Sequence, residues 1–389
     1  MNRRDFLAGT ATGVVVGAAG TYGALQVPIP MKVTETAPPP APAPDTGKLP
    51  APAVVPLVRE LKLTTAWPKS LPGFGTSAQR IADRITAMTE GTLTVKLYAD
   101  GELVPRLEAL DAVAKGTADM YHGAEHLWQS KSKAFYFFAA VPGGLLAPEM
   151  SAWIHYGGGQ ALWDEVAGGF GVKPLLCGNT GVQMGGWFNR EIASPDAFKG
   201  LKLHMPGLGG EVMRRLGAEV QTLAPAEIFP ALQSGAIDGT EWLGPWNDLA
   251  FGFHKVARYY YWPGFHEPGT AVSLGINKGV WDSLTRTQQE IVAAAAAAET
   301  TLTYAEFMAR NGQALQTLVK ENAVQLRSFP DEVLQAIGRA VAATMGEVGD
   351  SDPLTKKVYE AYAAFRREVA EWTVLSEQGY ANARSRFFS

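Results

Sequence analysis

From residue 60 the chain alternates: Glu60-Leu61-Lys62-Leu63-Thr64-Thr65-Ala66-Trp67 places apolar and polar side chains on opposite sides, which predicts a strand. A Pro/Gly loop over 68–75 follows, and the period then lengthens. Ile81, Ile85 and Met88 share one helical face over 77–89, and Gly91 ends the run. Leu93 to Tyr98 reads as a second strand, and Leu107 to Lys115 as a helix carrying Leu110, Val113 and Ala114. This β-α-β-α alternation implies an α/β sheet with crossover helices. Ala134 to Leu146, with four aromatics, reads as a buried strand or loop, and 150–170 as helix around Gly157-Gly158-Gly159. Extended pieces over 173–177 and 183–188 and a polar loop over 191–200 lead to the centre of the chain. There Leu201, Leu203 and Met205 form a short apolar strand stopped by Pro206. A helix opens behind Gly207, Gly209 and Gly210, and a second runs from Pro225 to Ser234. Thr270 to Asn277 reads as a return strand. Thr287 to about Asn322 is one very long helix, and 330–348 and 353–387 are further helices. The last is amphipathic and aromatic, with Tyr359, Tyr362, Phe365, Trp372 and Tyr380.

One stretch repeats. Ala114-Lys115-Gly116-Thr117-Ala118-Asp119 resembles Gln233-Ser234-Gly235-Ala236-Ile237-Asp238: a helix end, a glycine, and a short run to aspartate. Each copy should deliver the residues after it to a sheet edge, His122 to Trp128 in one case and Glu241 to Trp246 in the other. A cleft lined from both copies suits that arrangement. The region from Gly200 to Gly269 gathers strand ends, helix N-termini, an acid and several aromatics, as ligand sites in open α/β sheets do.

At 389 residues the chain can build two domains with sizeable cores. Its net charge of -4 leaves no basic footprint for nucleic acid. The single cysteine, Cys177, lies in an apolar run and reads as a buried thiol. Arg3-Arg4-Asp5-Phe6-Leu7 before a weakly apolar run to Leu25 resembles a twin-arginine export signal over 1–28. Left uncleaved, it would tether the protein to a membrane. Residues 29–57, rich in proline, favour extended polyproline II and act as a linker.

Three constellations could carry chemistry. His122-Gly123-Ala124-Glu125-His126 matches the H-x-x-E-H pattern of inverted zinc peptidases, which needs both histidines on one helical face. Gly123 and the strand-like run before it argue against that helix. Gly207-Leu208-Gly209-Gly210 between strand and helix could present backbone N–H groups to a small anion, but it is neither G-x-G-x-x-G nor a Walker loop. Gln183, Glu241 and Trp242 offer an amide oxygen, a carboxylate and a backbone carbonyl, a hard-oxygen set suited to Na⁺ or Ca²⁺ rather than zinc.

Four segments carry a resemblance: 178–188 (GNTGVQMGGWF), 205–213 (MPGLGGEVM), 236–242 (AIDGTEW) and 261–269 (YWPGFHEPG). Together and in this order, over about 61–384, they are similar to solute receptors of tripartite ATP-independent periplasmic (TRAP) transporters, in the branch that binds 2-oxo acids such as pyruvate. The resemblance implies an α/β, two-domain periplasmic-binding-protein fold with the ligand cleft between domains and a long helix spanning both. It places 58–180 with 272–312 in one domain, and 181–271 with 313–389 in the other. It implies a periplasmic receptor, not an enzyme, that captures a small organic acid and delivers it to membrane permease subunits. A metal ion, Na⁺ or Ca²⁺, would meet the ligand at Gln183, Glu241 and Trp242. Trp128, Trp187, Trp246 and Phe265 would line the pocket, with Glu125 a polar oddity beside it. Members can dimerise through the C-terminal helix. Where the family usually carries an arginine that clamps the substrate carboxylate, this chain has His204. Three readings stay open: one N–H to the carboxylate, a neutral ligand, or recognition left to the metal and backbone amides. An imidazole here should titrate near neutrality. The rival functions are an HxxEH-type zinc metallohydrolase and a binding protein that feeds a sensor.

Overall fold

The computed structural model describes residues 58–387; the expected export signal and the linker over 29–57 lie outside the described residues. Two sheets organise the chain. The first has the order β2-β1-β3-β10-β4, built from β1 (Arg59–Thr65), β2 (Leu93–Tyr98), β3 (Met120–Gly123), β4 (Val172–Asn179) and β10 (Ala271–Asn277). Strand β1 runs parallel to β2 and β3, while β10 is antiparallel to β3 and β4. The second sheet has the order β11-β9-β5-β8-β6-β7, from β5 (Gly186–Phe188), β6 (Lys202–His204), β7 (Glu219–Gln221), β8 (Gly239–Thr240), β9 (Tyr259–Trp262) and β11 (Gln325–Ser328).

The repeat in the sequence is a repeat in structure. Asp119 Oδ2 accepts the Lys62 N–H of β1 at 2.7 Å, and Asp238 Oδ2 accepts the Lys202 N–H of β6 at 2.9 Å. In return the Asp119 and Asp238 N–H groups donate to the carbonyls of the same two lysines. Gly116 and Gly235 turn the chain with φ of 76° and 73°, where a side chain would be strained. The next strands, β3 and β8, lie inside their sheets rather than at the edges expected. The residues after them therefore emerge at strand ends.

The run of aromatics at 135–138 is a buried 3₁₀ helix (Lys133–Phe138), neither strand nor loop. Glycines divide the expected 150–170 helix into two, Ala147–Tyr156 and Gly159–Gly168, because Gly158 sits at φ 83°. The long helix is Arg286–Gln316, whose 31 residues span about 46 Å at ~1.5 Å per residue. Its Val292, Ala295 and Ala296 pack into the core of the first sheet with Leu61, Met120 and Leu274. The π-helical turn that continues it, Thr317–Glu321, puts Leu318 among Trp187, Ile228 and Tyr260 of the second. One rod thus serves both cores. At its middle, Arg80 and Arg84 of the Phe74–Met88 helix hold its buried Glu299.

Candidate ligand and cation site

The residues of the central stretch meet where β5, β6 and β8 end. Strand β6 pairs with β8, so that the Glu241 N–H donates to the His204 carbonyl at 3.1 Å. Beyond the β5–β8 pairing, the Met184 N–H donates to the Leu243 carbonyl at 3.0 Å, which sets Gln183 beside Glu241 and Trp242. The segment after β9 closes the ring: His266 Nε2 lies 3.1 Å from Glu241 Oε2, and Glu267 Oε2 accepts from Gln183 Nε2 at 2.8 Å. Thr270 Oγ1 also receives Gln183 Nε2, at 2.8 Å. Gly264 lets this segment pass so close to Gln183 that a Cβ would stand 2.4 Å from its carbonyl oxygen. Gly209 does the same for the helix Gly207–Arg215, where a Cβ would meet His266 at 2.7 Å. The glycines after Pro206 therefore serve packing behind the site.

All of these groups are closed off. Gln183, His204, Glu241 and His266 are 3%, 2%, 4% and 2% exposed, so only a small ligand would fit among them. Burial pushes the Glu241 carboxyl up, against the pull of His266. Burial is the largest single influence on His266 and opposes its imidazolium, but Glu241, with Glu267 and Asp248, together outweighs it and the His266 pKa is raised. The ring N–H is not aimed along the 3.1 Å contact, so the pair is held by charge rather than a formed hydrogen bond.

The fit to a cation rests on one atom. With Gln183 Nε2 committed to Glu267 and Thr270, its Oε1 faces the other way, buried and without a hydrogen-bond partner. An orphaned amide oxygen beside a buried carboxylate costs free energy unless something positive joins them. The amide oxygen of Gln183, the carboxylate of Glu241 and a backbone carbonyl such as that of Trp242 are the oxygen types that Na⁺ and Ca²⁺ take. Such an ion would neutralise Glu241 and attract a ligand's oxygens. Among the described residues no cluster of three or more His, Cys, Asp or Glu side chains could hold a metal, so a site here depends on the neutral oxygens.

His204 departs from the expected titration. Burial, and then the charge of Arg106, lower its pKa to about 4, so the ring is neutral at pH 7. Its Nδ1 accepts the Leu223 N–H at 3.0 Å.

The remaining expected residues scatter. Trp187 is fully buried, stacks on Tyr260 with centroids 3.9 Å apart, and donates its indole N–H to Asp248, a carboxyl that burial pushes up to about 7. Trp128 covers Tyr121 in the first core at 4.5 Å. Glu125 lies in the same region, where the Tyr121 hydroxyl donates to it at 2.8 Å. Trp246 is half-buried, packs edge-on to Phe307 of the long helix, and its N–H donates to Asn311. Phe265 faces a cavity of about 430 Å³ between the helices Asp331–Gly349 and Pro353–Thr373, away from Glu241. Sequence reasoning missed His266 and Glu267, although both lie in the 261–269 motif. It also missed Arg106.

The zinc pattern dissolves. His122 is on β3, where its Nδ1 accepts the Trp67 indole N–H at 2.9 Å and its Nε2 lies 3.2 Å from Ser77 Oγ. His126 is on the 3₁₀ turn Glu125–Trp128. The two imidazoles share no helical face, and both nitrogens of His122 are already engaged. Cys177 is the buried thiol expected.

The model of the bacterial extracellular solute-binding protein family 7 (DctP) matches residues 64–351. A monocarboxylate 2-oxoacid-binding periplasmic protein of Nostoc sp. is 40% identical over 83% of this chain and 88% of its own length. A TRAP periplasmic solute-binding protein from Colwellia psychrerythraea, solved with bound calcium and pyruvate, superposes with a TM-score of 0.81 at 36% identity, over 84% of this chain and 99% of that one. A counterpart from Pseudoalteromonas atlantica, with bound sodium and pyruvate, gives 0.79 at 35% identity, over 84% and 99%.

Proposed function

The chain belongs to the bacterial extracellular solute-binding protein family 7, and from that premise we propose that it is the extracytoplasmic receptor of a TRAP transporter for a small 2-oxo monocarboxylate. It captures the acid together with Ca²⁺ or Na⁺ at Gln183, Glu241 and Trp242 and hands it to membrane permease subunits. The orphaned Gln183 Oε1 beside the buried Glu241 carries the reading. The binding of pyruvate with calcium or sodium by the solved counterparts supports it. The lobes we assign are 58–180 with 272–312 and 181–271 with 313–389, a division supported as far as residue 328 by the residues each sheet draws on, whereas Tyr362 of the helix Pro353–Thr373 packs on Phe137 and Trp153 of the first lobe. Capture then proceeds by hinge closure. The family's place is periplasmic, and among the described residues no helix is long and apolar enough to cross a membrane. We assign export to the twin-arginine segment. A homodimer face is assigned to the C-terminal helix, where Trp372, Leu375 and Tyr380 are exposed.

Calorimetry on metal-stripped protein tests the assignment. Pyruvate should bind with Ca²⁺ or Na⁺ present and at least tenfold more weakly without either, and Glu241→Gln should abolish the difference. Binding indifferent to both cations, or no thermal shift with any acid of a two- to six-carbon 2-oxo-acid panel, would sink it.

A further inference from the structure

A ring nitrogen that accepts a backbone N–H carries no proton of its own. His204 Nδ1 accepts from Leu223, so the single proton of the ring sits on Nε2, and that atom has no partner among the described residues. His204 therefore offers a ligand one neutral donor. It supplies no positive charge, while the site already holds Glu241 with Glu267 beside it. An anionic ligand needs a cation from elsewhere.

The other sheet provides one. Arg106 opens the 3₁₀ turn Arg106–Glu108, a few residues past the end of β2. Asp100 Oδ1 accepts its backbone N–H at 2.8 Å, which fixes the loop. The residue as a whole is half-buried, and its guanidinium makes no hydrogen bond or ion pair among the described residues. The segments that flank this turn share an apolar core with the start of the helix that follows His204. Ala109 and Leu110, with the partly buried Leu103 and Val104, belong to one apolar cluster with Leu208, four residues beyond His204 on the far side of the cleft. The same cluster holds Tyr136, close enough to the Gly207–Arg215 helix to feel Glu211. Arg106 is also the charged group whose field reaches His204.

We propose that Arg106, reaching across from the first lobe, is the cation that binds the ligand carboxylate, with His204 Nε2–H as a neutral second donor. This rests on the reading of the site as a carboxylate receptor. A guanidinium can take both carboxylate oxygens in a fork, whereas one imidazole N–H takes a single oxygen. The carboxylate then bridges the lobes, so an acid's charge itself favours the closed form. A neutral isostere lacks that link.

The test is calorimetry of the full chain with pyruvate and with pyruvamide, each in saturating Ca²⁺ at fixed ionic strength. Arg106→Ala should weaken pyruvate by about 10- to 100-fold, the range of a hydrogen bond to a charged partner, and leave pyruvamide within threefold. Arg106→Lys, a point charge without the fork, should fall between. His204→Arg alone sets two guanidinium groups against each other and should weaken pyruvate, while Arg106→Ala combined with His204→Arg should recover at least tenfold over Arg106→Ala. An unchanged melting temperature for unliganded Arg106→Gln, with the same loss of pyruvate affinity, excludes misfolding as the cause. Pyruvate affinity within threefold of wild type in both Arg106→Ala and Arg106→Gln overturns the proposal and leaves the receptor reading standing. Wild-type protein that binds no 2-oxo acid overturns both.

Discussion

Glu125 gives a sharp test of how the first core is built. It is completely buried, its Oε1 accepts the Tyr121 hydroxyl at 2.8 Å, and its Oε2 has no partner. Burial pushes its pKa from 4.5 up to about 7, against the pull of Tyr121 and Ser273. The folded chain thus holds this proton more tightly than the unfolded chain does. The resulting stabilisation is fully present below pH 4.5 and is lost as pH rises to about 7. At ~1.4 kcal/mol for each tenfold change in proton affinity, a rise from 4.5 to about 7 sets an upper bound of about 3.5 kcal/mol. Glu125→Gln keeps an oxygen for Tyr121 and cannot ionise. Its amide N–H₂ replaces the unpartnered oxygen, at a cost of about 1–3 kcal/mol that does not vary with pH. The absolute stability of the variant is therefore uninformative, and its pH slope decides. Urea unfolding at pH 5, 6, 7 and 8 should show the variant gaining about 2–3 kcal/mol on wild type from the lowest pH to the highest. Parallel stability curves would refute the reasoning, because Glu125 would then ionise freely. So would a change of more than threefold in pyruvate affinity, which would bring Glu125 into the ligand pocket.

Glu299 of the long helix is buried against Arg80 at 2.6 Å and Arg84 at 3.4 Å, with the Thr303 hydroxyl donating at 2.8 Å. Glu299→Ala leaves Arg84 without this acid and Arg80 with only Glu306, at 2.9 Å, and should cost up to about 3 kcal/mol in urea unfolding; a loss under ~1 kcal/mol would refute the role. Tyr362 is buried and its hydroxyl oxygen accepts the Leu145 N–H at 2.7 Å. Tyr362→Phe should destabilise by about 1–3 kcal/mol and speed hydrogen exchange at the Leu145 amide, while an unchanged exchange rate would contradict the bond.

The features legible in the sequence obeyed local rules. Alternation marks β1 and β2 in the sequence, although β1 buries Leu63, Thr64 and Thr65 in succession and β2 buries only Leu93, and the long helix is visible because nothing interrupts it. The Gly-to-Asp repeat was legible because it solves one geometric problem twice, turning a helix end into a strand beside a lysine. The short strands β7, β9 and β11 were harder to see. Three or four residues carry little periodicity, and their pairing is decided by the strand opposite. Aromatics were ambiguous for a related reason. Trp187 and Trp128 sit in motif or cleft-bound segments, but an indole ring serves a core as readily as a pocket, and sequence does not say which face of a strand it takes. Gln183, Glu241 and Trp242 were nameable as candidates from their oxygen types. Glu267, which aims the amide of Gln183, was not, because its role depends on a contact 84 residues away. Arg106 left only a weak trace, a lone basic residue after a strand end.

Two features of the site complement each other once charge is counted. The buried Glu241 carboxylate has only the His266 ring, 3.1 Å away, to offset its charge, and Arg106 makes no ion pair among the described residues. In the proposed lobes they lie on opposite sides, and neither pairs with the other. In the proposed arrangement a cation at Gln183 and Glu241 and a carboxylate at Arg106 form an alternating chain: acid, cation, ligand acid, guanidinium. With a monovalent ion, those four formal charges sum to zero. With a divalent ion the excess of one positive charge falls near Glu267, already bonded to Gln183. Either ion is therefore electrostatically tolerable, and the neighbouring structures contain both. Removing the ligand's charge breaks the chain at its third link and leaves Arg106 unpaired in a closing cleft. Selection for an acid thus follows from the cost of closure without one, in addition to any attraction in the open state.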